Sequence, residues 1–284
     1  MNKAKTIVLG LMLMVFSVTT LISQETIKLM TYNIKLDYPK EGDNSWNNRK
    51  DWMIGQINFY APDIFGVQEA MPNQMKYMDS TMVNYNFVGV GRDNGKDEGE
   101  YSAIFYDKSK FRIVESSTFW LSQTPQKVSM GWDAVCNRVC TYALFENVMS
   151  KKQFWVFNTH LDHVGQQARM NSVKLILEKI KSYNTKDFPV FLMGDFNLEP
   201  ETEHIQLIKT TLEDSKDISL NKPFGPSGTF NGFHFGEPVT RRIDYIFVTK
   251  NNIEVQKYAV LSDSKDLKYP SDHFPVFIEI KLTN

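Results

Sequence analysis

The stretch 191-FLMGDFNLEP-200 ends a hydrophobic run abruptly. Phe191, Leu192 and Met193 are consecutive apolar residues, as in a strand covered on both faces. Gly194, Asp195, Phe196 and Asn197 follow. Alternate residues of a strand face the same side, so Asp195 and Asn197 would point into one pocket. Gly, Asp and Asn are also turn residues, and on this segment alone a turn is an equally good account. The rest of the chain has to decide between them.

The same layout recurs. Asn33 follows "MTY", Glu69 follows "FGVQ", and Asn158 and His160 follow "FWVF". Asp244 stands in "RRIDYIF", and Asp272 and His273 precede the apolar run "FPVF". Each polar group adjoins apolar sequence, where an unpaired carboxylate is costly. Any one alone is most simply a cap or a hydrogen-bonded core group. Taken together with Asp195 and Asn197, they suggest strand ends meeting along one sheet edge, a recurrent place for active sites.

Between these points the chain alternates strand and helix patterns. Strands are expected in "TIKLMTYNI", "DIFGVQEA", "YNFVGVGR", "YSAIFYD", "FRIVESSTFWL", "VCTYALFE", "FWVFNTHLDH" and "PVFLMGD". Three more follow in "RRIDYIFVT", "IEVQKYAVL" and "FPVFIEIKL". Helical spacing marks "SWNNRKDWMIGQINFY", with Ser45 as a cap, and "PNQMKYMDSTM", opened by Pro72. It also marks "GQQARMNSVKLILEKIKSY" and "EPETEHIQLIKTTL", with Pro200 near its start. No repeat or low-complexity linker interrupts this, so a single α/β domain with mixed sheets is expected.

The chain has 284 residues, 42% of them hydrophobic, and a net charge of −1. That is enough for one large core, and it excludes a global basic field for nucleic acid. Residues 1–23, "MNKAKTIVLGLMLMVFSVTTLIS", have the layout of a secretory signal: early lysines, a short apolar core, then small and polar residues. The protein is therefore expected to be secreted or periplasmic. Its functional domain would span 24–284, with no transmembrane segment in the mature chain. Cys136 and Cys140 would then meet an oxidising compartment. An extended segment holds them too far apart to bridge, so buried free thiols are expected.

The chemistry open to these residues is narrow. No nucleophile elbow, glycine-rich phosphate loop or dinucleotide fingerprint is present. Carboxylates and carboxamides with few histidines suit a hard cation such as Mg²⁺ or Mn²⁺. A hard cation with an added His and Asp suits hydrolysis of a phosphoester.

At this point the sequence resembles a family. "TYNI", "VQEA", "NTHLDH", "GDFNLEP", "RRIDYIF" and "SDHFPV" stand in the order of the endonuclease/exonuclease/phosphatase superfamily, the deoxyribonuclease I-like fold. The motifs run from Asn33 to His273 and so cover nearly the whole mature chain. The resemblance implies two mixed β-sheets packed face to face, with helices outside, in a four-layer α/β sandwich. It implies Glu69 as the main Mg²⁺ or Mn²⁺ ligand, with Asn33 beside it and Asp272 as a further contact. Asp195 would orient or deprotonate the attacking water, and Asn197 would hold the phosphate. His273 would face the phosphate, oriented by Asp244, with His160 as a second contact. Arg138 would either face the phosphate or form a surface salt bridge.

The overall look is closest to secreted bacterial members near the deadenylase and nocturnin branch. The inositol phosphatase motifs and a strongly basic charge are both missing. The expected activity is phosphodiesterase- or nuclease-like. A phosphomonoesterase, or a phosphodiesterase of lipid or sugar phosphates, is the alternative, and a non-catalytic headgroup-binding protein is the rival from another class. The expected partner is a phosphoester substrate, nucleic acid or a small sugar or lipid phosphoester, for a monomer with no obligate protein partner. Trp46, Trp120 and Trp132 are expected in the core. The loop "TPQKVSMGWD" is the expected substrate-facing wall.

Overall fold

Each of two sheets is built around one parallel pair of strands joined through a helix. The computed structural model describes residues 26–38 and 40–283, so the leader expected over 1–23 lies outside it. In the first sheet β1 (Thr26–Asn33) leads through α1 (Trp46–Tyr60) to β2 (Ile64–Gln68). In the second, β7 (Gln153–His160) leads through α3 (Gln166–Tyr183) to β8 (Val190–Asp195). β1 and β2 are parallel, as are β7 and β8, and among the described strands the other strand-to-strand pairings are antiparallel.

The remaining elements flank these cores. α2 (Pro72–Thr81), β3 (Tyr85–Val88) and β4 (Ile104–Asp107) follow β2, and β5 (Phe111–Trp120) and β6 (Val139–Asn147) precede β7. After β8 come α4 (Glu203–Thr211), β9 (Leu212–Asp214), β10 (Asp244–Thr249), β11 (Ile253–Val260) and β12 (Val276–Leu282). The sheet orders are β11-β12-β1-β2-β4-β3 and β5-β6-β7-β8-β10-β9.

Three apolar clusters define four layers. The central one lies between the sheets and includes Leu29, Ile64, Phe154, Val156, Phe191, Met193 and Ile278. A second packs α3 and α4 on the outer face of the second sheet, through Leu192, Ile176 and Ile205. A third packs α1 and α2 on the first sheet, through Met30, Phe65, Met53 and Met75. Phe191 and Met193 thus face inward and Leu192 outward, which is why β8 reads as an unbroken apolar run. Burying such a side chain contributes about 1.5–3 kcal/mol.

One polar bolt crosses between the sheets. Asn158 of β7 donates from Nδ2 to the carbonyls of Val67 (3.0 Å) and Ala103 (2.9 Å), and its Oδ1 accepts from Gln68 Nε2 (2.7 Å). It fits because residue 66 is glycine: a Cβ there would lie 2.6 Å from Asn158 Cγ.

Some local expectations need correction. α4 begins at Glu203 rather than beside Pro200, and its expected last residue, Leu212, instead opens β9. Ser45 occupies the N-cap position of α1, but its side chain makes no capping bond. Cys136 and Cys140 are both free thiols, but Cys136 is only half-buried. Among the described residues no helix is long and apolar enough to cross a membrane.

Candidate active site

The two parallel pairs end at the same edge of the molecule. There β1 delivers Asn33, the residue after β2 is Glu69, β7 delivers His160 and β8 delivers Asp195. The register places His160 beside Asp195 across β7 and β8, and Asp244, the first residue of β10, on Asp195's other side. A cavity of about 330 Å³ opens over them, lined also by Arg138, Asn197, Asp272 and His273. A larger groove of about 650 Å³ lies among Ile180, Val190 and Leu212 and gathers none of these groups.

The opening segment is both a turn and part of this site. β8 stops at Asp195, so strand alternation does not bring Asn197 to the cavity. Asn197 takes a left-handed conformation (φ 52°), and its N–H returns to Asp195 Oδ1 at 2.9 Å. Gly194, at φ 144°, lets β8 lie against β7; a Cβ there would meet the Thr159 carbonyl oxygen at 2.0 Å.

Asp195 is the centre of the hydrogen bonding. Asn33 Nδ2 donates to its Oδ2 and to Glu69 Oε1, both at 3.0 Å. His160 Nε2 lies 3.4 Å and His273 Nε2 3.8 Å from the same Oδ2. Burial, and next the charge of Asp244, push the Asp195 carboxyl up to about 7. A buried carboxyl titrating near neutrality is poised to take a proton.

The two histidines are driven in opposite directions. Burial disfavours the charged form of both. At His273 the Asp244 carboxylate, 2.9 Å from Nδ1, outweighs burial, with help from Asp195 and Asp272, and raises the ring to about 10. At His160 burial wins, reinforced by Arg138 and Arg92, and the ring is held well below its usual range. His273 is therefore an imidazolium at neutral pH and His160 a neutral imidazole whose Nε2 faces Asn197 Nδ2 at 3.1 Å.

Asp195, Asp244 and His273 could each offer one ligand atom within 4.8 Å of the others. With Nδ1 spent on Asp244 and the ring protonated, His273 has no lone pair for a metal, so this trio is a charge-paired cluster rather than a set of metal ligands. Glu69 is better suited to an ion. Its half-buried carboxylate follows a backbone at φ 61° and opens on the cavity beside the Asn33 carboxamide, an oxygen set that fits Mg²⁺ or Mn²⁺. Burial works against its ionisation, but Lys35 and His273 hold the carboxyl below its ordinary value. Asn33 Oδ1 meanwhile accepts the Lys35 N–H at 3.1 Å.

Arg138 is no surface residue: it is 4% exposed. Its Nε lies 3.4 Å from Asp162 Oδ2, Nη2 lies 3.0 Å from His163 Nδ1, and Nη1 is buried with no partner. Arg169 anchors the loop below by donating to the Asp162 carbonyl at 3.1 Å. None of Trp46, Trp120 and Trp132 lines the cavity, and the 122–135 loop contributes nothing to it. Trp46 and Trp120 are buried as expected, whereas Trp132 is half-exposed.

Sequence reasoning missed Lys35, Arg92, Glu100, Phe230 and Arg241, all on the cavity wall. Arg92 and Glu100 pair in two bonds of 2.7 Å. Lys35 had a usable signal, standing two residues beyond Asn33. The others come from loops whose course no periodicity encodes.

A carboxylate poised to take a proton, an imidazolium, a neutral imidazole, a buried arginine and a hard-cation ligand set define a hydrolase of phosphoester bonds. Residues 30–273 match the Endonuclease/Exonuclease/phosphatase family, and the chain belongs to it. Members of this family are phosphoric ester hydrolases and generally use a divalent metal.

Two solved structures from Bacteroides thetaiotaomicron are similar along nearly their whole length. One, a family protein, is 36% identical with a TM-score of 0.86, covering 90% of this chain and 97% of that one. The other, a mannosyl-6-phosphatase, is 37% identical with a TM-score of 0.85, covering 89% and 99%. The Ccr4 exoribonuclease subunit of Mycosarcoma maydis is 22% identical over 89% of this chain, which spans only 49% of that protein's length.

Proposed function

We propose that this enzyme hydrolyses phosphate monoesters of small sugars or similar polyols outside the cytoplasm, with one face of the phosphate on Mg²⁺ or Mn²⁺. The observation that carries the substrate class is the cavity wall. Lys35, Arg92, Arg138 and Arg241 are interleaved with Glu69, Glu100, Asp195 and Asp272, and Phe230 is the one phenyl ring among the lining residues. A small pocket of mixed charge suits a compact ligand with both hydroxyls and phosphate. A long polyanion calls for a one-signed basic groove and stacking platforms. The mannosyl-6-phosphatase at 37% identity supports the same class, and the signal-like residues 1–23 support export.

When bound beside Glu69, the divalent ion would neutralise phosphate charge. Asp195 takes the proton of the water as its oxygen bonds to phosphorus, the ester P–O bond breaks, and the departing sugar oxygen takes a proton from solvent in the open cavity and leaves as the alcohol. The His273 imidazolium, fixed by Asp244, stabilises the charge that builds on the phosphoryl oxygens. Asn197, His160 and the free Nη1 of Arg138 hold the phosphate in line.

The nuclease-like activity expected from sequence is the second reading, favoured by the exoribonuclease relatives. Comparing kcat/KM for hexose 6-phosphates, bis-p-nitrophenyl phosphate and single-stranded RNA decides between them. Monoesters at least about tenfold better support the first proposal. Faster cleavage of RNA, or turnover unchanged by Asp195→Ala, sinks it.

A further inference from the structure

Lys35 is an unusual neighbour for a cation site. Its backbone takes a left-handed conformation (φ 56°), uncommon for a residue with a side chain. That conformation is held from three sides. The Lys35 N–H donates to Asn33 Oδ1 at 3.1 Å, and its carbonyl accepts from Arg49 Nη2 at 2.6 Å and Gln74 Nε2 at 2.9 Å. The side chain reaches into the cavity, where Nζ lies 3.2 Å from Asp272 Oδ2.

Asp272 is thus already paired with a cation that belongs to the chain. Two positive charges on one carboxylate repel each other in a partly buried site, and Lys35 is tethered there while an ion is not. The ammonium also lines the space into which a phosphate would project from Glu69. It retains donors beyond the one spent on Asp272, since an ammonium carries three.

We propose that Lys35 is a resident cation of the active site: it occupies the Asp272 position against a second divalent ion and donates to a phosphate oxygen. The protein then binds a single divalent ion, at Glu69 and Asn33. This rests on the reading that Glu69 holds the ion, but not on which phosphoester is cleaved.

The test counts Mn²⁺ bound per full-length chain, from the electron paramagnetic resonance of the free ion during titration. One ion is expected for the wild type and two for Lys35→Met, which keeps the chain length but frees Asp272. Lys35→Gln serves as a second variant should the first not fold. Two ions on the wild type, or one on both proteins, overturns the proposal. With Mn²⁺ held at one equivalent per chain, so that the Asp272 position stays empty, inorganic phosphate should bind Lys35→Met about tenfold more weakly than wild type, the effect of one lost charge-assisted hydrogen bond. Unchanged phosphate affinity would refute the phosphate contact. A wild type that binds one Mn²⁺ but ignores sugar phosphates would refute the substrate class and leave Lys35's role standing.

Discussion

Asp195 and His273 share one oxygen-to-nitrogen approach of 3.8 Å yet need opposite protonation states. Asp195 must be ionised to take a proton, and its carboxyl is raised to about 7 by burial and Asp244. His273 must be charged to face phosphate, and Asp244 raises it to about 10 against the effect of burial. Activity should therefore rise as pH passes about 7 and fall as it passes about 10, and a kcat/KM profile checks both limbs. In Asp244→Asn the neutral neighbour removes the main cause of the His273 shift and a cause of the Asp195 shift. Both limbs should then move to lower pH. Asp195→Asn keeps shape but removes the base, and should lower kcat by about 10²–10⁴, the usual weight of a general base. Arg138→Lys keeps charge but loses the planar fork, and should raise KM for phosphoesters more than it lowers kcat. Asp195, Asp244 and His273 were legible because each adjoins an apolar run, a signal independent of tertiary structure, whereas Arg138 was reached only through the family resemblance. Arg92 and Glu100 were not, because each is an ordinary loop charge until the 2.7 Å pairing puts them on the cavity wall.

At the scale of elements, β1, β2, β7 and β8 were readable because strands buried on both faces are dominated by apolar residues. β9 was not: three residues at a helix end carry no periodicity, and Leu212 is buried in either state. The pairing of "GDFN" was half-read. Its residues meet in the cavity, but through the left-handed turn at Asn197 rather than strand alternation. Glycines carry the contacts that sequence could not price. Gly66→Ala forces a Cβ to 2.6 Å from Asn158 Cγ and should destabilise the protein by about 1–3 kcal/mol, the usual cost of overpacking. A denaturant midpoint that drops with unchanged slope would register it. Gly194→Ala meets backbone rather than side chain, at 2.0 Å, and should be worse than Gly66→Ala in the same assay.

For the whole molecule, fold class followed from the order of patterns, whereas the partition of the described strands into two sheets depends on long-range pairing such as β1 with β12. The site's dependence on both sheets makes metal removal a global test. A divalent ion that binds only the folded state adds stability by mass action, about 2.7 kcal/mol at a hundredfold excess over Kd. Chelation should therefore abolish turnover and lower Tm together, and re-addition of Mg²⁺ or Mn²⁺ should restore both.

The Asn158 bolt gives the two sheets a common fate. Its three hydrogen bonds join β7 to the β2 strand, the Gln68 side chain and the segment entering β4, just beneath the cavity floor. A phosphate held between an ion at Glu69 on one sheet and Asn197 and His160 on the other would tighten a seam that is already stitched. The slowest opening of this enzyme should then be a parting of its two halves, and amide exchange at Val67 and at Thr159 should slow in step when phosphate and metal bind.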